Sequence, residues 1–241
     1  MLLTIDAGNT NVCFAVYDGD KQLEFARVET GKFKKTPSFE EKVITDIIIC
    51  SVVPQVNEAL IKACEKQFQV TPIFVTHENI DIPLNIETPA QLGTDRMVGA
   101  SAAVAYYQNP CIVVDFGTST NFDVVDATGA HIGGVLATGA RLSLAALSDG
   151  AAQLPEIKIE EPSSVIGKNT VDAMQSGIYW GYISKVEGII AQISKEMGGK
   201  PFVIGTGGLA PLFERGTDIF DIIDQDLIMK GLVHMHKVLN K

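Results

Sequence analysis

Two short polar turns, each opened by an aspartate, carry the side chains in this sequence that are best suited to chemistry. The first follows the apolar run Leu2–Ile5 and has the sequence DAGNTN, from Asp6 to Asn11. The second follows another apolar run and has the sequence DFGTSTN, from Asp115 to Asn121. Carboxylates bind hard cations, and backbone N–H groups of such turns bind phosphate oxygens. Each turn is therefore suited to hold a phosphate together with its cation.

The two turns correspond to each other, which indicates a duplication. Four pairs of residues align, namely Asp6 with Asp115, Gly8 with Gly117, Thr10 with Ser119, and Asn11 with Thr120. The separation of the two turns is close to half of the 241-residue chain, as expected for two related domains. Two such strand–turn–strand units facing each other would hold one polyphosphate from both sides.

The apolar pattern around the two turns predicts an α/β fold. Strands are predicted where apolar runs are bounded by turn residues, at Leu2–Ile5, Val12–Tyr17, Gln22–Val28, Asp46–Val53, Pro72–Thr76, twice within Cys111–Asp126, and at His131–Leu136. Helices are predicted from spacing and composition at Gln55–Gln67, Met97–Tyr107, Arg141–Gln153 and Val171–Met197. Three strands followed by alternating helices and strands are typical of α/β proteins.

Three further segments carry local predictions. The polar stretch Thr30–Glu41 is predicted to be a loop or a short linker to a helix. The glycines of the long helix are expected to mark close packing; they are Gly177, Gly181 and Gly188. Residues 201–210 predict a strand, a glycine turn and a helix, and such a turn lets the backbone approach a ligand closely.

One more acid lies at a helix entry. The irregular stretch Pro83–Arg96 ends in Gly-Thr-Asp-Arg, so Asp95 and Arg96 directly precede the small-residue helix Met97–Tyr107. An acid in this position often satisfies the free N–H groups of the helix, and from spacing alone we favour a capping role for Asp95.

Composition excludes several classes of function. The chain has 29 acidic and 19 basic residues, a net charge of −10, which opposes binding to a nucleic-acid backbone. No apolar run approaches the roughly 18–20 residues of a membrane span, and the N-terminus lacks signal-peptide features. The four cysteines occur singly, without metal-ligand spacing. We therefore expect a cytoplasmic protein that binds neither nucleic acid nor membrane.

Seven short segments, in order, resemble the type III pantothenate kinases, a family of the acetate and sugar kinase, Hsp70 and actin superfamily. They are D-x-G-N-T-N at Asp6–Asn11, S-V-V-P at Ser51–Pro54, G-x-D-R at Gly93–Arg96, D-F-G-T at Asp115–Thr118, L-P at Leu154–Pro155, I-G-K-N-T-V-x-A-M-Q-S-G at Ile166–Gly177, and T-G-G-L-A at Thr206–Ala210. The resemblance implies two duplicated RNase H-like domains, the actin-like ATPase fold, with a nucleotide cleft between them. The implied domains are residues 1–109 and 110–241.

The resemblance also implies an ATP-dependent kinase that converts pantothenate to 4′-phosphopantothenate, the first step of coenzyme A biosynthesis. Asp95 would be the general base, Mg²⁺ would accompany ATP, and Asp115 would hold a monovalent cation, potassium or ammonium. The implied ATP-binding residues are Asp6, Ala7, Gly8, Asn9, Thr10, Asn11, Val12, Cys13 and Thr118. The implied pantothenate-binding residues are Gly93, Thr94, Asp95, Arg96 and Thr170.

The residues alone decide neither the oligomeric state nor the acceptor substrate. The resemblance implies a homodimer whose neighbouring subunit helps to build the pantothenate pocket, and the helices Met97–Tyr107 and Val171–Met197 fit either an interface or packing inside one chain. Ile86 stands where the family usually has an aromatic residue, so a kinase for another small hydroxylated acceptor is a second hypothesis. A non-catalytic ATP-binding regulator is a third, although the retained Asp95 and the acidic charge argue against it.

Overall fold

The computed structural model describes residues 1–39, 42–151 and 154–241. The strands among them are β1 (Leu2–Ala7), β2 (Asn11–Asp18), β3 (Lys21–Glu29), β4 (Asp46–Ser51), β5 (Ile73–Phe74), β6 (Cys111–Phe116), β7 (Ser119–Val125), β8 (His131–Thr138), β9 (Phe202–Thr206) and β10 (Ile222–Ile223). The α-helices are α1 (Pro54–Phe68), α2 (Thr94–Tyr106), α3 (Ala140–Gly150), α4 (Thr170–Met197), α5 (Ala210–Phe213) and α6 (Leu227–Leu239). Single 3₁₀ turns occupy Thr30–Lys32, Pro89–Gln91 and Glu214–Gly216.

These elements form two compact units, each built on a five-stranded sheet. The first unit comprises Met1–Tyr107, Gly129–Ile132 and Asp226–Lys241, and the second comprises Gln108–Thr128 and Gly133–Gln225. The first sheet has the order β3-β2-β1-β4-β5, and the second has the order β8-β7-β6-β9-β10. In each, the central strand is antiparallel to the next strand in sequence and parallel to the fourth. The identical order confirms the predicted duplication and the α/β class.

The C-terminal helix completes the first unit, which differs from the predicted division into residues 1–109 and 110–241. α6 packs against α2 and β1. Its residues Met229 and Leu232 are buried in one cluster with Val98 of α2. The apolar face of α6 is thus part of the first unit's core, although the chain reaches it only after the second unit.

Both faces of the first sheet are covered, and this decides where its aspartate points. Leu3 and Ile5 of β1 pack against α1 on one face, whereas Leu2 and Val98 share a cluster on the other. Because side chains alternate along a strand, Asp6 lies on the same face as Leu2. The carboxylate therefore lies on the face that α2 covers.

The second helix begins three residues earlier than predicted, at Thr94 rather than Met97. Gly93 is extended, with φ −58° and ψ 137°, and its carbonyl accepts the Met97 amide at 3.1 Å. Gly93 therefore holds the N-cap position, and Asp95, for which a capping role is predicted, is the second residue of the helix and satisfies one of its free amides. The Asp95 carboxylate lies within the first turn and accepts the Arg96 amide at 2.7 Å.

Two other boundaries differ from the predictions. No helix follows the 3₁₀ turn Thr30–Lys32 before β4 among the described residues, although Phe39 and Ile44 of this segment are buried in the core of the first unit. Its last residues, Glu40 and Glu41, lie outside the described part of the chain. α3 ends at Gly150, and Gln153, its predicted end, also lies outside.

Within the chain, the close packing predicted at the glycines of α4 is not found. A Cβ at Gly177, Gly181 or Gly188 would meet nothing within 4 Å, and all three are exposed. With Ser184 they follow a spacing of four, three and four residues, so they form one stripe on the solvent side of α4. The small residues of α2 are instead buried inside the first unit.

None of the described helices is long and apolar enough to cross a membrane.

Candidate active site

The first aspartate turn is closed by its own backbone and supported from β3. Gly8 N donates a 2.9 Å hydrogen bond to Asn11 O, which closes the turn between β1 and β2. Thr30, which is buried, donates through Oγ1 to Gly8 O at 2.6 Å and through its amide to Thr10 O at 3.0 Å. These bonds fix the turn carbonyls, while Asn9 and Thr10 are exposed at its tip.

Four side chains form a row across the first sheet at the level of Asp6. Asp6 pairs with Cys13 of β2 on one side and with Cys50 of β4 on the other, and Cys13 pairs with Arg27 of β3. Residues paired directly across a sheet share a face. The carboxylate therefore lies between two thiols, with a guanidinium at the end of the row. Cys50 Sγ donates to Asp6 Oδ1 at 3.4 Å.

The ionisation of Asp6 is strongly perturbed. Burial, and then the negative charge of Asp95, raise the pKa of Asp6 from 3.8 to about 7, against the opposing effects of the Cys50 hydrogen bond and Arg27. Burial also raises the pKa of Cys13 and of Cys50, so both thiols stay neutral near pH 7. A bound cation would offset the charge that this site otherwise disfavours.

Asp95 is held close to the backbone at the start of α2. A Cβ added at Gly93 would lie 2.6 Å from Asp95 Oδ1 and 3.4 Å from Val52 Cγ1, so only glycine leaves the carboxylate in place. Thr94, the first residue of α2, is hydrogen-bonded on both sides to Ser51 of β4, donating to its carbonyl and accepting its amide at 3.0 Å. The N-terminal end of a helix also stabilises negative charge.

The second aspartate turn is enclosed by glycines. Asp115 of β6 pairs with Asn121 of β7 and with Thr206 of β9. Gly207 follows β9 with φ +86°, and a Cβ there would overlap Asp115 Oδ1 and lie 2.8 Å from Phe116 N. A side chain at this position would therefore displace the carboxylate.

Thr118 lies exposed at the tip of the second turn. Its carbonyl accepts the Gly139 amide at 3.1 Å, and a Cβ at Gly139 would overlap that carbonyl. This contact joins the turn to the entry of α3. The turn is one residue shorter than the first, because Phe116 pairs with Thr120 whereas Ala7 pairs with Val12. The predicted match of Asn11 with Thr120 is therefore wrong by one residue.

Thr170 is the first residue of α4, and its position is set by a cap. Asn169 accepts the Asp172 amide at 3.0 Å and donates to the Asp172 carboxylate at 2.8 Å, a reciprocal pair that begins the helix. Thr170 is exposed and lines a groove of about 580 Å³ with Leu147 of α3 and Gly177 of α4.

The glycine turn after β9, predicted at residues 201–210, is present, and the helix that follows it is only the short α5.

The predicted site residues form one group in the first unit and lie in two elements of the second unit. In the first unit Asp6–Cys13 and Gly93–Arg96 are connected through the end of β4, since Cys50 bonds Asp6 and Ser51 bonds Thr94. In the second unit Asp115 and Thr118 belong to one turn, and Thr170 begins α4.

Four supporting residues of the first unit were not predicted, namely Arg27, Thr30, Cys50 and Ser51. For two of them the sequence contains a pattern that could have located them. Cys50 and Ser51 end a parallel strand beside β1, and the carboxyl ends of adjacent parallel strands meet at one edge of a sheet.

The residues present fit a divalent cation held mainly by a ligand. No group of three or more His, Cys, Asp or Glu side chains is placed to hold a metal ion among the described residues. Mg²⁺ in nucleotide sites usually takes one or two carboxylates and completes its shell with phosphates and water. Asp6 has a raised pKa and lies beside a turn whose tip residues are exposed. Both features match that chemistry.

Comparison with known proteins identifies the family. A sequence profile described as type III pantothenate kinase matches residues 2–192. A Paramagnetospirillum magneticum protein of that name is 43% identical over 98% of this chain and 97% of its own length. A Rhodospirillum rubrum protein of the same name is 43% identical over 98% of each chain. The chain belongs to the type III pantothenate kinase family. Enzymes of this family are ATP-dependent kinases that phosphorylate pantothenate in coenzyme A biosynthesis.

Solved structures resemble the fold at low sequence identity. A Campylobacter jejuni protein described as a Baf family transcriptional activator has a TM-score of 0.68 at 20% identity, covering 99% of this chain and 98% of that one. The ROK hexokinase of Thermus thermophilus has a TM-score of 0.50 at 11% identity, covering 100% and 99%. The predicted pantothenate kinase family and the actin-like ATPase fold are therefore confirmed.

Proposed function

We propose that this protein transfers the γ-phosphoryl group of ATP to the hydroxyl of pantothenate, with Asp95 as the general base. The observation that carries the proposal is that Asp95, in the first turn of α2, lies next to Thr94, which is bonded to Ser51, while the adjacent Cys50 bonds Asp6 of the first aspartate turn. A carboxylate able to accept a proton thus lies beside the turn suited to phosphate.

In the proposed reaction the acceptor oxygen bonds to the γ-phosphorus as the bond to the β–γ bridging oxygen breaks, and ADP leaves. The hydroxyl proton passes to the Asp95 carboxylate. Phosphoryl transfer depends mainly on positioning and charge stabilisation, because the transferred group is loosely bonded to both oxygens in the transition state. A well-placed general base typically contributes about 10²–10⁴-fold.

The first aspartate turn would hold the phosphates of ATP. Its backbone N–H groups and the exposed Asn9 and Thr10 would orient phosphate oxygens, with Thr30 keeping the turn in shape. Mg²⁺ bound with ATP would supply positive charge against the charge developing on the transferred group. Asp6 would hold that ion directly or through water.

The remaining assignments come from the resemblance and fit the local geometry. Asp115, enclosed by the Gly207 turn, would hold a potassium or ammonium ion, and Thr118 would contact ATP. Arg96 would pair with the carboxylate of pantothenate or with phosphate oxygens. Thr170 would contribute to the acceptor pocket.

We also propose a homodimer and a cytoplasmic location, both implied by the resemblance. The exposed stripe of α4 (Gly177, Gly181, Ser184 and Gly188) would let a helix of a second copy approach closely. Leu142 and Leu147 of α3, 51% and 45% exposed, would be covered by the same contact. A dimer would have twice the 25.9 kDa chain mass by light scattering.

The test is acceptor-dependent turnover by the purified full chain. With ATP, Mg²⁺ and potassium, we expect ADP and 4′-phosphopantothenate to form in equal amounts only when pantothenate is present, and the rate to fall when sodium replaces potassium. Turnover only with other small hydroxylated acceptors would contradict the proposed substrate. ATP binding without turnover would contradict the proposed reaction and favour a regulator.

A further inference from the structure

Thr94 completes the hydrogen bonding of β4 where its neighbouring strand has ended. On that side of β4, Val75 N, just after β5, donates to Ile49 O at 2.9 Å. The amide and carbonyl of Ser51, two residues further on, point to the same side and meet the Thr94 hydroxyl instead, each at 3.0 Å. One side chain of α2 thus takes the place of a strand.

These two hydrogen bonds connect the segment that carries Asp95 to the strand that lies beside Asp6. Ser51 follows Cys50, which donates to Asp6, and the next amide, that of Val52, donates to Ala7 of β1 at 3.0 Å. On the other side Thr94 directly precedes Asp95. The end of β4 is therefore tied to β1 by backbone and to α2 by the threonine hydroxyl.

The two bonds are a side-chain connection between the first turn of α2 and the sheet that carries Asp6. Thr94 is the first residue of α2, and Asp95 follows it in the same turn. Without the hydroxyl, the amide and carbonyl of Ser51 would lose this partner, and the first turn of α2, which includes Asp95, would lose this connection to β4.

We propose that Thr94 is a positioning residue, whose hydroxyl fixes the first turn of α2 to the end of β4 and so places Asp95 at the acceptor hydroxyl. The inference rests on the proposed role of Asp95 as base. A hydroxyl has one hydrogen to donate, and Thr94 donates it to Ser51. Thr94 therefore does not donate to pantothenate, although the resemblance places it in the substrate-binding segment.

The test compares Thr94→Val, which removes the hydroxyl at nearly constant shape, with Thr94→Ser, which keeps it. We expect Thr94→Val to lower kcat about 10–100-fold with both KM values within about threefold, since misplacement by about 1 Å can cost 10²-fold. Thr94→Ser should restore kcat to within about threefold of the wild type. Thr88→Val, the same change at an exposed threonine of this unit, should have no effect.

Two further measurements separate this inference from the proposed base. Thr94→Val should not slow Asp95→Asn further, because residues that act through one group are not additive. Amide exchange at Ser51 should accelerate in Thr94→Val, and in Thr94→Ala if the valine variant does not fold, but not in Thr94→Ser.

An unchanged kcat in Thr94→Val, or a rise in the KM for pantothenate alone, would overturn the inference while leaving Asp95 in place. A wild-type rate in Asp95→Asn would instead overturn the proposed base.

Discussion

The two aspartate turns occupy equivalent places in two sheets of identical strand order, yet they are supported in different ways. The first turn is supported by side chains, since Thr30 bonds Gly8 O and Cys50 bonds the Asp6 carboxylate. At the second turn the backbone also approaches closely, since the Gly207 turn encloses Asp115 and Gly139 lies against Thr118 O, beside a side-chain bond from Ser119 to Asn121. The duplication has kept the topology and the acid, whereas the threonine bond described at the first turn and the glycine contacts described at the second differ.

The difference predicts different sensitivities to mutation. A hydrogen bond from a side chain contributes about 1 kcal/mol net to stability, so removing one bond weakens the turn only by a limited amount. A backbone-to-backbone approach has no room for even one methyl group, so any side chain there must displace its neighbours. The second turn should therefore be the more sensitive of the two to small substitutions.

The largest effect is expected at Gly207. Gly207→Ala places a Cβ in overlap with Asp115 Oδ1 and requires φ +86° of a residue that disfavours it. We expect a loss of about 2–4 kcal/mol in unfolding free energy and at least a tenfold loss of kcat. Thermal melting and turnover measure the two.

The neighbouring glycine provides the control for that change. A Cβ at Gly208 would meet nothing within 4 Å, so Gly208→Ala should melt within about 2 °C of the wild type. Equal effects at the two glycines would show that the turn is merely sensitive to composition, and the contrast between the two aspartate turns would then be lost.

A stability effect of similar size and opposite sign is expected at Asp6 in the absence of ATP and Mg²⁺. The pKa of Asp6 is raised from 3.8 to about 7, so the folded protein keeps a proton that the unfolded chain loses, and wild-type stability falls as pH rises from about 4 to 7. Asp6→Asn lacks this loss. A pKa shift of one unit corresponds to about 1.4 kcal/mol of stability. We therefore expect the variant to be more stable than the wild type by roughly 2–4 kcal/mol at pH 8 and little changed at pH 4.

Denaturant unfolding of Asp6→Asn and wild type at pH 4, 6 and 8 checks this expectation. The same variant should lose most of its turnover with Mg²⁺ and ATP. A stability difference that does not vary with pH would mean that the Asp6 carboxylate is not strained by burial and by Asp95.

The smallest effect is expected at Thr30. Thr30→Val removes the 2.6 Å hydrogen bond to Gly8 O and should cost about 1–2 kcal/mol, with a several-fold rise in the KM for ATP. Thr30→Ser keeps the hydroxyl and should restore the KM. If the valine variant instead proves as damaging as Gly207→Ala, the side-chain support of the first turn is not graded as argued.

Sequence patterns were sufficient for the features that depend on local order. The apolar runs around Asp6 and Asp115 predicted the central strands, and the small-residue run after Arg96 predicted α2 apart from its first turn. The self-similarity of the two turns predicted a duplication whose strand order the two sheets share.

Features set by pairing register and by distant packing were not predictable in the same way. The register of β2 with β3 shifts between Val16 and Tyr17, so the alternation along β3 alone does not place Arg27 in the row of Asp6. The bonds from Thr94 to Ser51 and from Thr30 to Gly8 join residues far apart in sequence. No periodic signal distinguishes such contacts from ordinary loop polarity.

The most direct test of the central claim is a single-turnover comparison of wild type with Asp95→Asn, following 4′-phosphopantothenate formation with ATP and pantothenate both bound. Asparagine keeps an oxygen for the Arg96 amide, so the fold and the binding of both substrates should be preserved. We expect the rate of transfer to fall by about 10²–10⁴-fold. Transfer within about threefold of the wild-type rate would contradict Asp95 as the general base.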